Sequence, residues 1–142
     1  MSPSIEECVD NLTHGPTQVH EDGVDLTVSA VYRVAEAGRI DFGGDELEDA
    51  DLEPVSLETS PGEDYGWWEL SAGQYVVQFN EFLADVENPL LVQPRNDLLA
   101  RGGAHPALRV RSHLPLVPLT VGGDGIALKE NARISRLEHW AE

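Results

Sequence analysis

Short apolar runs that end in turn-forming residues recur along most of this chain, and they constrain its fold more than any other feature. Residues 24–34 begin with alternating apolar and polar side chains and are rich in β-branched residues, which is typical of a strand with one buried face. Similar runs, each bounded by Gly, Pro or Asn, occupy residues 74–79, 90–92, 107–110, 114–121, 126–128 and 132–137. Because the runs are short and closely spaced, the sequence predicts an all-β sandwich or barrel.

Helix is predicted in only two places. Apolar side chains lie at helical spacing in residues 3–12, which predicts a short N-terminal helix that ends before Gly15-Pro16. Residues 97–101 are predicted to form a second helical turn. The single cysteine, Cys8, lies in the first of these segments and is predicted to be a buried, inert thiol.

One long segment lacks the strand pattern. Residues 41–64 contain ten acidic residues and no basic residue, together with several Gly and Pro residues. This composition predicts a long solvated loop, with one short strand near residues 55–57. The length of 142 residues fits one domain, so we interpret residues 1–142 as a single domain that carries this acidic loop.

The charge of the chain excludes several classes of partner. Nine basic residues against 26 acidic residues give a formal net charge of −17, which would repel nucleic acid and anionic membranes. Arg outnumbers Lys eight to one, and the composition resembles that of proteins from salt-loving archaea, in which surface carboxylates serve solvation. The chain has no apolar run long enough for a membrane helix and no secretory signal pattern at its start. We therefore predict a cytoplasmic protein with no membrane and no nucleic-acid partner.

Basic residues are concentrated in one third of the chain. Residues 94–136 have a net charge of +4, whereas residues 1–93 have a net charge of −19. Guanidinium groups bind phosphate and carboxylate, so this region is a candidate anion-binding site; neutralisation of acids within the domain is the alternative. Its seven basic residues are Arg95, Arg101, Arg109, Arg111, Lys129, Arg133 and Arg136.

The sequence lacks the motifs of several common reactions. No two of its five histidines have the i, i+4 spacing of a zinc-binding helix, and no second cysteine is present. It also contains no Gly-x-x-x-x-Gly-Lys phosphate loop and no Gly-x-Ser-x-Gly nucleophile elbow. Composition and general motifs therefore assign no reaction.

Three stretches together resemble the dUTPase / dCTP deaminase superfamily in its archaeal form. Residues 18–28 (QVHEDGVDLTV) are similar to the opening Gly-Val-Asp-Leu motif, and residues 68–81 are similar to the segment that leads into the central barrel. Residues 94–102 resemble the phosphate-binding Pro-Arg-Ser-Ser-Leu motif, and residues 131–137 (NARISRL) resemble the closing strand. The resemblance covers about residues 16–137.

The resemblance implies a fold, an activity and a set of site residues. It implies a jelly-roll-like distorted barrel, assembled as a homotrimer with active sites between subunits. The implied reaction is the hydrolysis of dUTP to dUMP and pyrophosphate, with Mg²⁺ holding the triphosphate and a water attacking the α-phosphorus. Asp25 would lie near the metal-bound waters. Arg95 would bind a phosphate of the deoxynucleoside triphosphate, and the neighbouring substrate-binding candidates are Asn96, Asp97 and Arg101.

The chain also departs from the family pattern. Asn96-Asp97 replaces the two serines of the phosphate-binding motif, and the aspartate expected near Val110 or Arg111 is missing. The glutamate that a deaminase needs is missing from residues 114–121. No catalytic residue is assigned, and three hypotheses stay open: a dUTPase-type hydrolase, an inactive paralogue that binds nucleotide or an active homologue, and a dCTP deaminase.

Overall fold

The computed structural model describes residues 4–140, of which strands make up 47% and helices only 9%. The prediction of an all-β fold is confirmed. The helical segments are a 3-10 helix (Ile5–Cys8), α1 (Gly15–Gln18) and α2 (Asn96–Leu99). The strands are β1 (Val9–Asp10), β2 (Val19–His20), β3 (Gly23–Glu36), β4 (Asp51–Pro54), β5 (Trp67–Leu70), β6 (Gly73–Phe79), β7 (Phe82–Leu83), β8 (Leu90–Pro94), β9 (Gly103–Ala104), β10 (Leu108–Val110), β11 (Val117–Val121), β12 (Ile126–Lys129) and β13 (Arg133–His139).

One curled antiparallel sheet dominates the fold. Its strand order is β10-β8-β13-β3-β6-β11-β9, and β2 and β4 also pair with β3. The first part of β3 pairs with β13 and its later part with β6, so this 14-residue strand joins the two halves of the sheet. Two smaller antiparallel pairs, β1-β7 and β5-β12, complete the half-barrel.

The core lies on the inner face of this sheet. Alternation along β11 buries Val117, Leu119 and Val121, and β5 likewise buries Trp68 and Leu70. Each fully buried side chain of this size contributes about 1.5–3 kcal/mol relative to an exposed one. This alternation explains why apolar patterns in the sequence predicted strands, because the apolar residues lie on the face that packs against the core.

The N-terminal segment differs from its prediction. The predicted helix over residues 3–12 is a single 3-10 turn, Ile5–Cys8, followed by β1, and its first residue, Pro3, lies outside the described part of the chain. β1 pairs with β7, so long-range strand pairing replaces the local helix. Cys8 is buried, as predicted, and burial followed by the charge of Glu7 raises the pKa of its thiol.

The acidic loop is a structured arm. We call residues 37–66, between β3 and β5, the acidic arm. Arg39 and Glu48 exchange two backbone hydrogen bonds and form an ion pair, which closes a hairpin around an exposed tip. The strand of the arm is β4, a few residues before the predicted position at 55–57, because it pairs with the end of β3. Ile40 and Phe42 at the tip are 91% and 109% exposed.

No helix in the described residues is long and apolar enough to cross a membrane.

Candidate functional site

Asp25 lies at the centre of the site. Its side chain is 0% exposed, and both carboxylate oxygens accept hydrogen bonds. Oδ1 accepts from Arg136 Nε at 2.9 Å, and Oδ2 accepts from Arg133 Nη1 at 3.0 Å. His20 Nε2 lies 2.9 Å from Oδ2, and Arg95 Nε lies 3.6 Å from the same oxygen. We call Arg95, Arg133 and Arg136 around Asp25 the arginine cluster.

Strand pairing brings the cluster together. Arg136 is paired with Asp25 across β13 and β3, and Gln93 is its partner in β8 on the other side. Arg95 directly follows β8, and its backbone N–H donates to the carbonyl of Ile134 at 2.9 Å. Three strands that are distant in the sequence therefore meet at one point of the sheet.

A bulge in β13 aligns the two arginines of that strand. Side chains three residues apart in a regular strand point to opposite faces. The pairing of β13 with β3 shifts register between Arg133 and Ser135, and both Ile134 and Ser135 are buried. The extra residue returns Arg133 to the face of Arg136, which is why both donate to Asp25.

The electrostatics of the cluster favour an ionised Asp25. Burial, the largest influence, raises the pKa of this carboxyl. The hydrogen bonds from His20 and Arg136, together with the charges of Arg95 and Arg136, outweigh burial and leave the pKa below its usual 3.8. The same contact with Asp25 raises the pKa of Arg136.

A cleft of about 420 Å³ lies beside the cluster. Arg95 and Arg136 both line it, and their side chains are 18% and 26% exposed. Besides these two guanidinium groups, the cleft presents the amides of Gln93 and Asn96 and the carboxylates of Asp97 and Glu138 to a ligand. The lining residues are Gln93, Pro94, Arg95, Asn96, Asp97, Arg136 and Glu138.

The structure brings together three of the four predicted substrate-binding residues. Arg95, Asn96 and Asp97 line the cleft, whereas Arg101 is exposed and does not line it. Arg101 instead lies one helical turn from Asp97, with 3.6 Å between its Nη1 and the carboxylate, and Asp97 is also 3.3 Å from Arg95. Asp25 lies beneath the arginines. The roles of these residues stay predictions.

Sequence reasoning gave no role to His20 or Glu138, and it named Arg133 and Arg136 only as members of the basic region 94–136. The basic cluster in residues 94–136 was one signal for the two arginines, but their spacing of three predicts opposite faces. Only the bulge at Ile134 changes that, and no sequence pattern marks it. Glu138 lies two residues after Arg136 in β13. The two side chains therefore share a face of the strand, and both line the cleft.

A histidine-serine pair lies within the core near the cluster. His105 is buried, its Nδ1 donates to the carbonyl of Pro106 at 2.8 Å, and its Nε2 accepts from the hydroxyl of Ser135 at 2.7 Å. Burial is the largest influence on this imidazole and lowers its pKa below 6.5. The pair ties the segment after α2 to β13.

The described residues do not form a magnesium site held by the protein. Among residues 4–140, no three His, Cys, Asp or Glu side chains lie close enough to hold a metal ion. Mg²⁺ takes about six oxygen ligands, so Asp25 alone would not hold the ion. Oδ2 of Asp25 is engaged by Arg133 and His20, whereas Oδ1 accepts one hydrogen bond, from Arg136. The place of Asp25 beside metal-bound waters stays a prediction.

Comparison with known proteins identifies the family. A "probable deoxyuridine 5′-triphosphate nucleotidohydrolase" of Methanosarcina mazei is 32% identical over 142 residues, covering 95% of this chain and 77% of that protein. A protein of the same name from Archaeoglobus fulgidus is 31% identical and covers 85% of this chain and 71% of its own length.

The chain belongs to the dUTPase family. No protein-family model matches it. Among solved structures, a 2′-deoxycytidine 5′-triphosphate deaminase from Agrobacterium tumefaciens superposes with a TM-score of 0.59 at 15% identity, covering 93% of this chain and 43% of that one. The predicted fold of the dUTPase / dCTP deaminase superfamily is confirmed.

The departures from the dUTPase family pattern lie at two places, since Val110 pairs with Leu90 at the start of β8 and Asn96 follows its end. Val110, near the position of the expected aspartate, is buried at the end of β10, and the adjacent Arg111 is exposed. Asn96 and Asp97 begin α2 at the edge of the cleft. Within this member of the dUTPase family, the carboxylates that reach the cleft are therefore Asp97 and Glu138.

Proposed function

We propose that this chain is a dUTPase-type nucleotidohydrolase that binds the triphosphate of dUTP in the cleft and releases dUMP and pyrophosphate. The observation that supports the proposal best is the convergence of Arg95 and Arg136 on one cleft. The resemblance of residues 94–102 to the phosphate-binding motif gives Arg95 the place of the family's phosphate-binding arginine. The relatives named as probable dUTPases support this substrate.

The lining residues suit a phosphate chain. Guanidinium groups form paired, charge-assisted hydrogen bonds to phosphate oxygens. Asn96 and Gln93 add amide donors at the rim. Asp25 holds Arg95 and Arg136 in place, so little side-chain freedom is lost when an anion binds.

Hydrolysis requires a group that orients the attacking water. Asp97 faces Arg95 and Arg101, so its charge is engaged by two cations. Glu138 accepts a hydrogen bond from Gln93 Nε2 at 2.7 Å and forms no ion pair within the described residues. Of the two lining carboxylates, Glu138 is therefore the better candidate for the general base.

In this proposal, magnesium would bind as part of a complex with the triphosphate of the substrate. The described residues supply no set of ligands for it, so its oxygen ligands would come from the triphosphate and water. Arg95, Asn96 and Gln93 would then bind the phosphate oxygens that the ion leaves free.

A non-catalytic nucleotide-binding paralogue is the second candidate. The replacement of the two motif serines by Asn96-Asp97 favours it, because a carboxylate at a phosphate site repels the ligand. A dCTP deaminase is the third candidate, and the absence of any acidic residue from 114–121 disfavours it.

We also propose a homotrimer in a salt-rich cytoplasm. The exposed apolar side chains of the acidic arm support an assembly, because Ile40 and Phe42 are 91% and 109% exposed within one subunit. The excess of acidic residues supports the high-salt setting.

The experiment is a pyrophosphate-release assay with dUTP and dCTP in molar KCl and Mg²⁺, beside calorimetry of binding. We expect dUTP hydrolysis, and a ten- to hundredfold weaker affinity for dUTP in Arg95→Ala. Binding without pyrophosphate release would select the paralogue, and release of ammonia from dCTP would select the deaminase. No binding of either nucleotide at millimolar concentration would overturn the proposal.

A further inference from the structure

We propose that the tip of the acidic arm in one copy of this chain docks into an apolar crevice on a second copy, with Phe42 as the side chain that fills the crevice. This inference rests on the homotrimer of the proposed function, but it is independent of the reaction and of the phosphate-binding cleft. Two surfaces that a single subunit leaves uncovered, and that differ in charge, point to this contact.

The crevice lies between the end of β6, β7 and the segment that follows β10. Its lining is mainly apolar and includes Phe79, Phe82, Leu83, Leu114 and Pro115. The carboxylate in the lining, Glu81, is buried, and its oxygens accept three hydrogen bonds from Thr27 and Gln18. The volume of the crevice is about 150 Å³, which is enough for a ring of the size of benzene.

The aromatic ring of Phe42 is the counterpart of this crevice. Phe42 and Ile40 at the tip of the acidic arm are almost fully exposed, and within the described chain no residue of the arm lines the crevice. Burial of such exposed apolar surface is favourable, and surface of this kind marks interaction sites. Each copy therefore carries both an exposed ring and an opening that accepts one.

The tip holds Phe42 on an ordered turn. The carboxylate of Asp41 accepts hydrogen bonds from the backbone N–H groups of Gly44 and Glu46 at 3.1 Å. The ion pair between Arg39 and Glu48 closes the hairpin behind this turn. Because the backbone around Phe42 is already fixed, little conformational freedom is lost when the tip docks.

The charges of the two surfaces are complementary. Residues 41–64 of the arm contain ten acidic residues and no basic residue. Beside the crevice, Arg109 and Arg111 are exposed, and neither forms an ion pair among residues 4–140. The neighbouring carboxylates of Asp85 and Glu87 pair with neither arginine. These two guanidinium groups are therefore available to the carboxylates of an incoming arm.

A second copy of the chain is the partner that these surfaces fit. The arm holds ten of the 26 acidic residues, and each copy has one arm and one crevice. The arm and the crevice are different surfaces, so the contact is heterologous and forms a closed ring where the rotation between copies closes. Three such contacts would join the three subunits of the proposed homotrimer.

The first test is a double-mutant cycle on the full chain, read as the trimer association constant from sedimentation equilibrium in molar KCl. Phe42→Ser and Phe82→Ser should each weaken association by at least about tenfold, because each removes one side of the same apolar contact. The combined variant should lose at most about threefold more than the more affected single variant, since substitutions within one contact are not additive. Leu116→Ser is the control, because Leu116 is exposed but does not line the crevice.

A second pair of variants tests the charges. Arg111→Glu should weaken the trimer, because it places a carboxylate opposite the acidic arm. Arg101→Glu makes the same change of charge at an exposed side chain that does not line the crevice. Its effect should be smaller, since it adds only to the general repulsion between copies.

Cross-linking gives a further measurement if a serine variant fails to fold. A chain with Phe42→Cys and Phe82→Cys should be joined by a short bis-maleimide into species of two and three chains. Cys8 is buried, so the wild-type chain should not react. Phe42→Cys with Leu99→Cys is the matched control, because Leu99 is exposed on α2 and does not line the crevice.

The outcomes separate this contact from the rest of the proposed function. An unchanged association constant in folded Phe42→Ser or Phe82→Ser would overturn the contact and leave the homotrimer and the reaction standing. Fully additive effects of the two substitutions would do the same. A monomer at every salt concentration would overturn both the contact and the homotrimer, whereas an intact trimer without dUTP hydrolysis would count against the reaction alone.

Discussion

At the scale of single residues, Asp25 shows how a buried charge is stabilised. Its desolvation is offset by hydrogen bonds from Arg133 and Arg136 and by the nearby charge of Arg95. Removal of one member of such a group leaves the others uncompensated, which costs more than the net contribution of the group to stability. The arginines are partly exposed, so the cost falls at the low end of the usual range.

We therefore expect Asp25→Asn to lower the free energy of unfolding by roughly 3 kcal/mol. Urea denaturation at pH 7 measures the change. Asp22→Asn is the matched control, because Asp22 is 74% exposed and its one ion pair among residues 4–140 is with Arg136. Its effect should stay below about 1 kcal/mol. Equal stability of the two variants would contradict the account of Asp25.

Glu138 provides a test of the reaction. If it orients the attacking water, Glu138→Gln should lower the rate of pyrophosphate release by about 10²–10⁴-fold while dUTP affinity stays constant or rises. Single-turnover release and calorimetry separate the two effects. Asp97→Asn serves as the comparison: loss of a repulsive charge should strengthen dUTP binding. A Glu138→Gln variant with wild-type turnover would remove Glu138 from the mechanism.

His105 should make stability depend on pH. Its pKa in the folded state lies below 6.5, so the unfolded chain takes up the proton first as the pH falls. Well above pH 6.5, both states are neutral at this residue and it adds no slope. Below that pH, stability should fall by up to about 1.4 kcal/mol per pH unit, until the folded state is protonated too.

Urea denaturation between pH 7.5 and 5 would reveal this slope. His105→Gln should reduce it, whereas His113→Gln should not, because His113 is an exposed side chain. An unchanged slope in His105→Gln would assign the acid sensitivity to other groups.

At the scale of elements, the contact between the start of β3 and β13 positions the arginine cluster. A Cβ atom at Gly23 would lie 2.6 Å from the carbonyl oxygen of Leu137 and 3.1 Å from Cγ of Arg136. Neither the backbone of β13 nor the stem of Arg136 can give way without moving the hydrogen bond to Asp25. Gly23 thus sets how closely the two strands approach.

Gly23→Ala should therefore destabilise the protein by about 1–3 kcal/mol and weaken dUTP binding. Thermal melting and calorimetry measure the two effects. Gly43→Ala is the control, because a Cβ there has no neighbour within 4 Å. Equal melting temperatures of the two variants would show that the close approach at Gly23 does not contribute to stability.

The elements also show which features a sequence can predict. Burial alternates in β11, and the short apolar run over residues 114–121 predicted a strand there. α2 follows the local helical signal of residues 97–101 to within one or two residues. The prediction of the first helix was wrong because β1 pairs with β7, more than 70 residues later in the chain. The local spacing of apolar residues carries no information on such long-range pairing.

The residues of the candidate site also differ in whether the sequence could predict them. Arg95, Asn96 and Asp97 are contiguous, so a short motif was enough to select them. Arg136 joined them only through strand pairing and the bulge at Ile134, both of which depend on contacts across the sheet. The residues that a linear pattern cannot select are those that distant strands bring together.

At the scale of the whole molecule, charge and exposed apolar surface oppose each other in assembly. A formal charge of −17 on each 15.5 kDa chain repels its copies, whereas the exposed tip of the acidic arm favours burial. Salt screens the repulsion between the charged chains and strengthens the tendency of the exposed apolar side chains to be buried.

We expect light scattering in molar KCl to give three times 15.5 kDa, and dissociation at low salt. Phe42→Ser should weaken the trimer without changing the stability of the subunit by more than about 0.5 kcal/mol. Leu116→Ser, another exposed apolar residue but outside the arm, is the control. A monomer at every salt concentration would contradict the proposed assembly.

The position of β13 between β3 and β8 has a consequence for synthesis. Leu137 pairs with Val24, so about 110 residues, or roughly 5–20 s of translation, separate the two partners. Throughout that interval the first half of β3 is an unpaired strand edge rich in apolar residues. Asp25 is then a solvated negative charge in the middle of that edge, and such a charge opposes pairing with other nascent chains. We therefore expect the carboxylate that later holds the arginines to oppose aggregation of this strand until β13 is made.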